Sequence, residues 1–142
     1  PERWVCVYVA DRQEGTIAHV APVTAEVHGS TLDGGFCAIS ANGRYVAFAS
    51  RANDLVPNDT NDAQDIFVYD RQAATTQRVS VSTQGDQGNG WSGQPSISAD
   101  GRFVAFSSRA NNLVAGDSNG EADVFVYDVQ TGRMERVSVA SR

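Results

Sequence analysis

Apolar and polar residues alternate along most of this chain in short runs, which is the period of β-strands. A strand over residues 102–108 is predicted to place Val104 and Phe106 on one face. Its opposite face carries Phe103, Ala105 and Ser107. No stretch has apolar residues at helical spacing over three turns. The pattern therefore predicts an all-β chain.

The strand pattern is repeated, because residues 39–82 recur as residues 97–140 at a shift of 58 positions. Without a gap, 26 of the 44 aligned positions are identical, which is far more than chance produces. A weaker third copy comes first, since residues 9–13 match residues 68–72 and supply only the second half of a repeat. The chain is therefore predicted to hold about two and a half repeats.

Each repeat is predicted to form four short antiparallel strands joined by tight turns. In the second complete copy we expect strands at residues 95–99, 102–108, 123–128 and 136–140. The pairs Asn42-Gly43 and Asp100-Gly101 predict two-residue type I′ turns between the first two strands, because such turns need positive φ at both positions.

The residues ISADGRFVAFSS, followed by DVFVYD and a strand RVSV, resemble the TolB-like, WD-repeat-like propeller blade of bacteria. The resemblance covers residues 34–141 well and the first 33 residues loosely. It implies β-propeller blades: a partial blade with the outer two strands and a connecting loop in 1–33, and complete blades in 34–91 and 92–142. It also implies a secreted or periplasmic location. A β-sandwich made from a duplicated hairpin pair is the alternative architecture.

The composition excludes some classes of binding partner but says little about the activity of the protein. The formal net charge is −6, so the chain lacks the basic surface that attracts nucleic acid or anionic lipid. Its longest apolar run, residues 4–10, is far shorter than the roughly 18 residues of a membrane helix. We expect no nucleic-acid ligand and no membrane span. Cys6 and Cys37 are expected as free thiols, because an intervening strand separates their positions.

The long loops between the second and third strands carry the candidate metal chemistry. Their oxygen-bearing side chains recur at one spacing: Asp59, Asn61 and Asp65 in the first copy, and Asp117, Asn119 and Asp123 in the second. Alternate oxygen donors in a tight loop are suitable ligands for Ca²⁺, which takes about six to eight oxygens. The loops are therefore candidates for calcium sites. The alternative is that these side chains accept backbone hydrogen bonds as Asx-turns.

Trp91 lies in a glycine-rich connection between the two complete copies, where it is a candidate ligand-binding residue. An indole there predicts a stacking platform for a sugar or peptide, and packing over the core between repeats is the alternative. The surrounding Gly90-Trp91-Ser92-Gly93-Gln94 lacks the second glycine of a nucleophile elbow. The sequence therefore does not predict an active site.

We predict a non-enzymatic binding or scaffold module with a protein or carbohydrate ligand. The alternatives are the propeller portion of a larger or assembled hydrolase and a sugar-binding, lectin-like propeller. The end copies show no polar substitutions of the kind that cap a repeat array. We therefore expect self-association or further propeller blades.

Overall fold

The computed structural model describes residues 8–20 and 37–138, whose regular structure consists of ten β-strands in three antiparallel sheets. The N-terminal sheet contains β1 (Tyr8–Asp11) and β2 (Thr16–His19). The middle sheet contains β3 (Cys37–Ile39), β4 (Tyr45–Ser50), β5 (Asp65–Asp70) and β6 (Thr75–Arg78). The C-terminal sheet contains β7 (Ser92–Ile97), β8 (Phe103–Ser108), β9 (Asp123–Asp128) and β10 (Arg133–Arg136). No helix in the described ranges is long and apolar enough to cross a membrane.

Both four-stranded sheets have the same topology and register. Their strands are paired in chain order, so each sheet is an antiparallel meander. Tyr45 pairs with Asp70 between β4 and β5, and Phe103 pairs with Asp128 between β8 and β9. The repeated sequence therefore folds into repeated sheets. The predicted boundary between residues 33 and 34 falls among residues 21–36, which lie outside the described ranges.

The turns between the first two strands differ from the prediction. The Ser40 amide donates to the Tyr45 carbonyl at 2.9 Å, so four residues separate these paired positions. The Gly43 amide donates to the Ser40 carbonyl, and positive φ falls on Gly43 (69°) but not on Asn42. The Asn42 side chain instead accepts the amide two residues ahead. The prediction of type I′ turns is therefore wrong: a type I turn is followed by a left-handed glycine, and Asp100-Gly101 repeats it.

Two predicted strands are also corrected at both ends, because β7 ends at Ile97 rather than at residue 99 and β10 ends at Arg136 rather than at residue 140. β10 begins at Arg133 rather than at residue 136, because the Asp128 carboxylate accepts the amides of Gln130 and Thr131 and ends the turn early. β7 begins at Ser92 rather than at residue 95. The Ser92 hydroxyl donates to the Ser108 hydroxyl on the neighbouring strand β8 at 2.9 Å. The pairing of β7 with β8 shifts between residues 93 and 96. The alternation of apolar and polar residues in the sequence did not predict this irregularity in strand pairing.

The middle sheet is covered on both faces. One face packs against the N-terminal sheet, and the residues in this contact are Val46, Phe48 and Phe67 with Val9 and Val20. The other face packs against the C-terminal sheet, in a larger cluster that includes Ala47, Ala49, Ile66, Val68 and Val79 with Val104, Phe106, Phe125, Tyr127 and Met134. Val104 and Phe106 share one face of their strand, as the alternation predicts, and both are buried in this cluster. The cores therefore lie between sheets.

The second face of the C-terminal sheet is covered by none of the described residues. We call it the outer face; its exposed residues include Phe103, Val124 and Val137, with exposed fractions of 41%, 38% and 47%. The residues at the same positions of the middle sheet include Ile66 and Val79, which are 0% exposed. The same sequence pattern is thus buried in one sheet and exposed in the next.

Cys37 is the first residue of β3 rather than preceding the strand, and it is an exposed free cysteine. Cys6 lies outside the described residues, so the expectation of two free thiols stays a prediction for the pair.

Tyr45 packs against the glycine turn of the following sheet, and this contact is open to test. A Cβ on Gly101 would collide with the Tyr45 ring, whereas a Cβ on Gly116 would meet nothing within 4 Å. The two glycines have nearly equal φ angles, 78° and 77°. Alanine at either position is strained in this region by about 1 kcal/mol. We expect Gly101→Ala to lower the free energy of unfolding, measured by urea denaturation, by about 1–3 kcal/mol more than Gly116→Ala.

Adding Tyr45→Ala to Gly101→Ala should remove most of this extra loss, because the colliding ring is gone. Equal losses for the two glycine variants would show that the contact between the Tyr45 ring and this turn does not constrain the fold.

Candidate functional site

A buried network of polar side chains joins the long loop after β4 to the strands of the middle sheet. We call it the middle network; its residues are Asp59, Asn61, Asp65, Arg78 and Ser80. Asp65 accepts the Ser80 hydroxyl at 2.5 Å and the Asn61 side-chain amide at 2.9 Å. The Arg78 guanidinium lies 3.0 Å from Asp59 and 3.7 Å from Asp65. The three residues proposed as calcium ligands therefore meet, but they meet around an arginine.

The C-terminal sheet has a second network of the same design. We call it the C-terminal network; its residues are Asp117, Asn119, Asp123, Arg136 and Ser138. Asp123 accepts the Ser138 hydroxyl at 2.6 Å and the Asn119 amide at 2.9 Å. Arg136 lies 2.9 Å from Asp117 and 3.3 Å from Asp123. The structure therefore brings both predicted sets of loop residues together.

Asx-turns, the alternative interpretation, occur in both loops. Asn61 accepts the amide of Ala63 at 3.1 Å, and Asn119 accepts the amide of Glu121 at 2.9 Å. In each loop, the side-chain oxygen of the asparagine accepts a backbone hydrogen bond, and its side-chain nitrogen donates one to the buried aspartate. Among residues 8–20 and 37–138, no three His, Cys, Asp or Glu side chains are grouped so that they could hold a metal ion. The calcium interpretation stays a prediction.

The middle network is covered by the segment that follows it. This segment, residues 83–91, runs from the middle sheet to β7, and we call it the connector. The Gln87 side-chain oxygen accepts from Arg78 at 3.0 Å, and the Gly88 carbonyl accepts the Asn61 amide at 2.8 Å. The Arg78 side chain is 11% exposed, whereas the Arg136 side chain is 23% exposed. Two sequence-identical arrangements therefore have different surroundings.

The pKa of the buried aspartate is shifted in opposite directions in the two networks. Burial raises the pKa of Asp65 above its usual value, although hydrogen bonds from Ser80 and Asn61 oppose the change. Burial likewise raises the pKa of Asp59. At Asp123, the counterpart of Asp65, the hydrogen bond from the serine hydroxyl is the largest effect and the pKa is lowered. Burial is thus the largest effect on the two carboxyl groups of the middle network, whereas a hydrogen bond is the largest effect on Asp123.

The connector also bonds to the long loop of the C-terminal sheet. The Asn89 side chain donates to Asn111 at 2.7 Å and accepts the Asn111 amide at 3.0 Å. The Asn112 side chain donates to the Gln87 carbonyl at 2.9 Å. A Cβ on Gly90 would lie 2.9 Å from the backbone nitrogen of Ala110. The glycines of this segment therefore permit close backbone packing between two sheets.

Trp91 closes the connector and is half-buried. Its indole lies over Gly93, because a Cβ on that glycine would collide with the ring. Its carbonyl accepts the Arg109 amide at 2.8 Å and the Ser108 hydroxyl at 3.1 Å. The residue therefore has a packing role and a partly accessible ring. Its role as a stacking platform stays a prediction.

A second kind of arginine–aspartate pair lies at the opposite end of the sheets. Arg44 binds Asp70 through two nitrogens, at 2.9 and 2.7 Å, and its guanidinium lies over the Tyr45 ring. This pairing lowers the pKa of Asp70 to about 2. Arg102 and Asp128 form the same contact in the C-terminal sheet. These arginines hold the second strand to the third.

Sequence reasoning missed the two network arginines and their serines as partners of the loop carboxylates. The signal was present, because Arg78 and Ser80 recur at the repeat spacing as Arg136 and Ser138. It did not reveal that each arginine supplies the positive charge that the loop carboxylates require.

Comparisons with known proteins show the fold of these sheets. The chain is similar to a structure assigned as TolB from Agrobacterium tumefaciens, with a TM-score of 0.52 and 19% identity over 91% of the chain. It is also similar to the tricorn protease, with a TM-score of 0.52 and 14% identity over 96% of the chain. The aligned part is 39% of the first structure and 11% of the second.

No protein-family model matches the chain, and no curated protein matches it. The structural likeness shows a TolB-like, propeller-type fold, and the recognition made from the repeat residues is confirmed. The all-β class and the four-stranded antiparallel sheets are confirmed as well.

Because the two networks differ in burial, we expect the replacement of Arg78 and that of Arg136 to lower the stability of the protein by different amounts. Arg78→Gln leaves two buried carboxylates without a counter-charge, so we expect it to lower the free energy of unfolding by about 3 kcal/mol at pH 7. Arg136→Gln, the matched control in the more open network, should cost less. Thermal and urea unfolding measure both.

The Arg78→Gln penalty should shrink in acid. The folded-state pKa of Asp65 is raised, so protonation favours the folded state as the pH falls through that pKa. Equal penalties for the two arginine variants, or an Arg78→Gln penalty independent of pH between 7 and 4, would contradict the role assigned to the connector.

Calcium, if the loops bind it as the sequence predicts, would compete with arginine for the same carboxylates, and melting temperatures test this. Because Arg136 lies between the carboxylates of Asp117 and Asp123, we expect millimolar CaCl₂ to raise the melting temperature of Arg136→Gln relative to chelator. The wild-type protein should respond less. A calcium-dependent rise of equal size in the wild type would confirm the sequence-based prediction and displace arginine as the counter-charge.

Proposed function

We propose that the chain is part of a β-propeller that acts as a non-enzymatic binding or scaffold module. The observation that carries the proposal is the outer face of the C-terminal sheet. Its residues match, position by position, those that the middle sheet buries against its neighbour. A surface of this kind is completed by another blade, supplied by self-association or by further blades of a longer polypeptide.

Three apolar side chains are exposed on this face: Val124 and Val137 are neighbours, and Phe103 lies at the other end of β8. Phe103, Val124 and Val137 are each more than a third exposed, although their equivalents in the middle sheet are half-buried or fully buried. Covering apolar surface contributes about 25 cal/mol per Å². Contiguous apolar patches of several hundred Å² mark interaction surfaces.

A ligand surface is proposed at the end of the sheets that holds the connector. Several polar side chains are exposed there, and Trp91 offers part of its ring; these side chains include Asn89, Arg109 and Asn111. Amides beside an aromatic ring are typical of protein and carbohydrate recognition. The hydrolase alternative draws on the likeness to the tricorn protease, which is a likeness of fold. A secreted or periplasmic location remains an expectation from the resemblance.

Association through the outer face is tested with Val124→Lys. A lysine at this exposed position leaves the isolated fold intact but places an unpaired charge in a covered face. We expect the wild-type protein to self-associate at micromolar concentration and Val124→Lys to weaken association about a hundredfold. Sedimentation velocity measures both, and Gln130→Lys, an exposed turn residue of the same sheet, is the control.

A wild-type protein that sediments as a monomer and does not bind a hydrophobic dye would contradict the proposal. So would equal association of the Val124→Lys and Gln130→Lys variants, because the outer face would then have no part in the contact.

A further inference from the structure

Three Asn-Gly pairs lie in the described part of the chain, at residues 42–43, 89–90 and 119–120. An asparagine followed by glycine is prone to deamidation, because glycine has no Cβ that keeps its backbone nitrogen away from the asparagine side chain. The reaction also requires that this nitrogen is free and that the side-chain carbonyl carbon lies close to it. The structure gives the three pairs different surroundings in both respects.

The first pair is protected by the turn between β3 and β4. The Gly43 amide donates to the Ser40 carbonyl at 2.9 Å, so the nitrogen that would attack is already engaged. The Asn42 side-chain oxygen accepts the Ser40 hydroxyl at 2.7 Å and the Arg44 amide at 3.0 Å. Deamidation of Asn42 therefore requires the turn to open.

The second pair is protected by the contact between the connector and the loop after β8. The Asn89 side chain donates to Asn111 at 2.7 Å and accepts the Asn111 amide at 3.0 Å, so it is held against that loop. The next residue is packed as closely, since a Cβ on Gly90 would lie 2.9 Å from the Ala110 nitrogen. Deamidation of Asn89 therefore requires the connector to separate from the loop.

The third pair has neither protection. The Gly120 amide makes no hydrogen bond to any residue of the described ranges, and a Cβ on Gly120 would meet nothing within 4 Å. The Asn119 side-chain oxygen accepts the Glu121 amide at 2.9 Å. This Asx-turn folds the side-chain carbonyl over the intervening peptide, and the donated hydrogen bond makes its carbon a better electrophile. The two reacting groups are thus brought together on an exposed loop.

Asn61, the counterpart of Asn119 in the middle network, has the same turn without the glycine. Its oxygen accepts the Ala63 amide at 3.1 Å, and its nitrogen donates to Asp65 at 2.9 Å. The residue after it is Asp62, whose φ of 53° is in the same left-handed region as the 72° of the glycine in the other loop. The Asp62 side chain crowds the backbone nitrogen, so we expect Asn61 to persist where Asn119 reacts.

We propose that Asn119 is a site of spontaneous deamidation in the folded protein, with water as the co-reactant. The Gly120 nitrogen attacks the Asn119 side-chain carbonyl carbon. The bond from that carbon to the side-chain nitrogen breaks, and ammonia leaves with the proton of the Gly120 amide. Water then adds to either carbonyl of the cyclic imide and opens it. The products are aspartate and isoaspartate, in which the main chain runs through the former side-chain carbonyl.

The modification changes the charge balance of the C-terminal network. Asp117 and Asp123 share the Arg136 guanidinium, and the Asn119 nitrogen donates to Asp123 at 2.9 Å. After deamidation a carboxylate replaces this donor, so three negative charges surround one positive charge and two acceptors face each other. The C-terminal network is therefore weakened with time, whereas the middle network keeps its donor.

The reaction is followed in H₂¹⁸O at pH 8 and 37 °C, with the folded protein and with the protein in concentrated guanidinium chloride. Trypsin places the three asparagines in separate peptides. Loss of ammonia with uptake of ¹⁸O raises the mass of a peptide by about three units. In the folded protein we expect Asn119 to react at least about tenfold faster than Asn42 or Asn89. In denaturant the three rates should converge, because the protecting contacts are lost.

Gly120→Asp gives this loop the residue that the middle network has at the same position, and Asp tolerates the left-handed region. We expect the variant to fold and to deamidate Asn119 at least about tenfold more slowly. Equal rates at the three asparagines of the folded protein, reaction of Asn119 only in denaturant, or a wild-type rate in Gly120→Asp would overturn the proposal.

The effect on the network is measured with Asn119→Asp, which is the aspartate product. We expect its melting temperature to be several degrees lower than that of the wild type, because a donor to Asp123 has become a like charge. Ser118→Asp is the matched control, since it adds the same charge at an exposed position of the same loop and should change the melting temperature little. Equal melting temperatures of the two variants would contradict the weakening of the network.

Discussion

A four-stranded sheet with apolar residues on both faces must be covered on both faces, and the rest of this structure depends on that requirement. Ile66 and Phe67 are neighbours on β5 and point to opposite sides, yet both are fully buried. Their burial needs one sheet before and one after the middle sheet. The hydrophobic effect thus acts between sheets, and each sheet is stable only as a member of a series.

Polar networks fix how adjacent sheets meet at one end. Asp65 is fully buried, and an ionised carboxylate in that position is costly unless hydrogen bonds and an opposite charge compensate it. Ser80, Asn61 and Arg78 provide that compensation from different segments of the chain. The connector then bonds to the same group and to the following loop. Electrostatics therefore set the alignment of surfaces that apolar packing alone would leave free to slide.

Most strands, and the residues that share a face of each, were predictable because alternation and repetition are local properties of the sequence. The turns at Asn42-Gly43 and Asp100-Gly101 were not, since the same dipeptides fit two turn types and a side-chain hydrogen bond selects between them. The loop oxygens were identified, but their counter-charge was not. Arg78 approaches Asp59 only after β5 and β6 have formed, so no spacing rule connects the two residues.

The connector places part of the middle network in the segment that introduces the C-terminal sheet. Asn61 and Arg78 belong to the middle sheet and its loop, but Gly88 and Gln87 come after its last strand. The cooperative unit therefore spans a sheet boundary, and it is out of phase with the sheets themselves. A cut between the last strand of the middle sheet and the connector would therefore leave every strand of that sheet in place and still remove the contacts of Gln87 and Gly88 with its buried polar network.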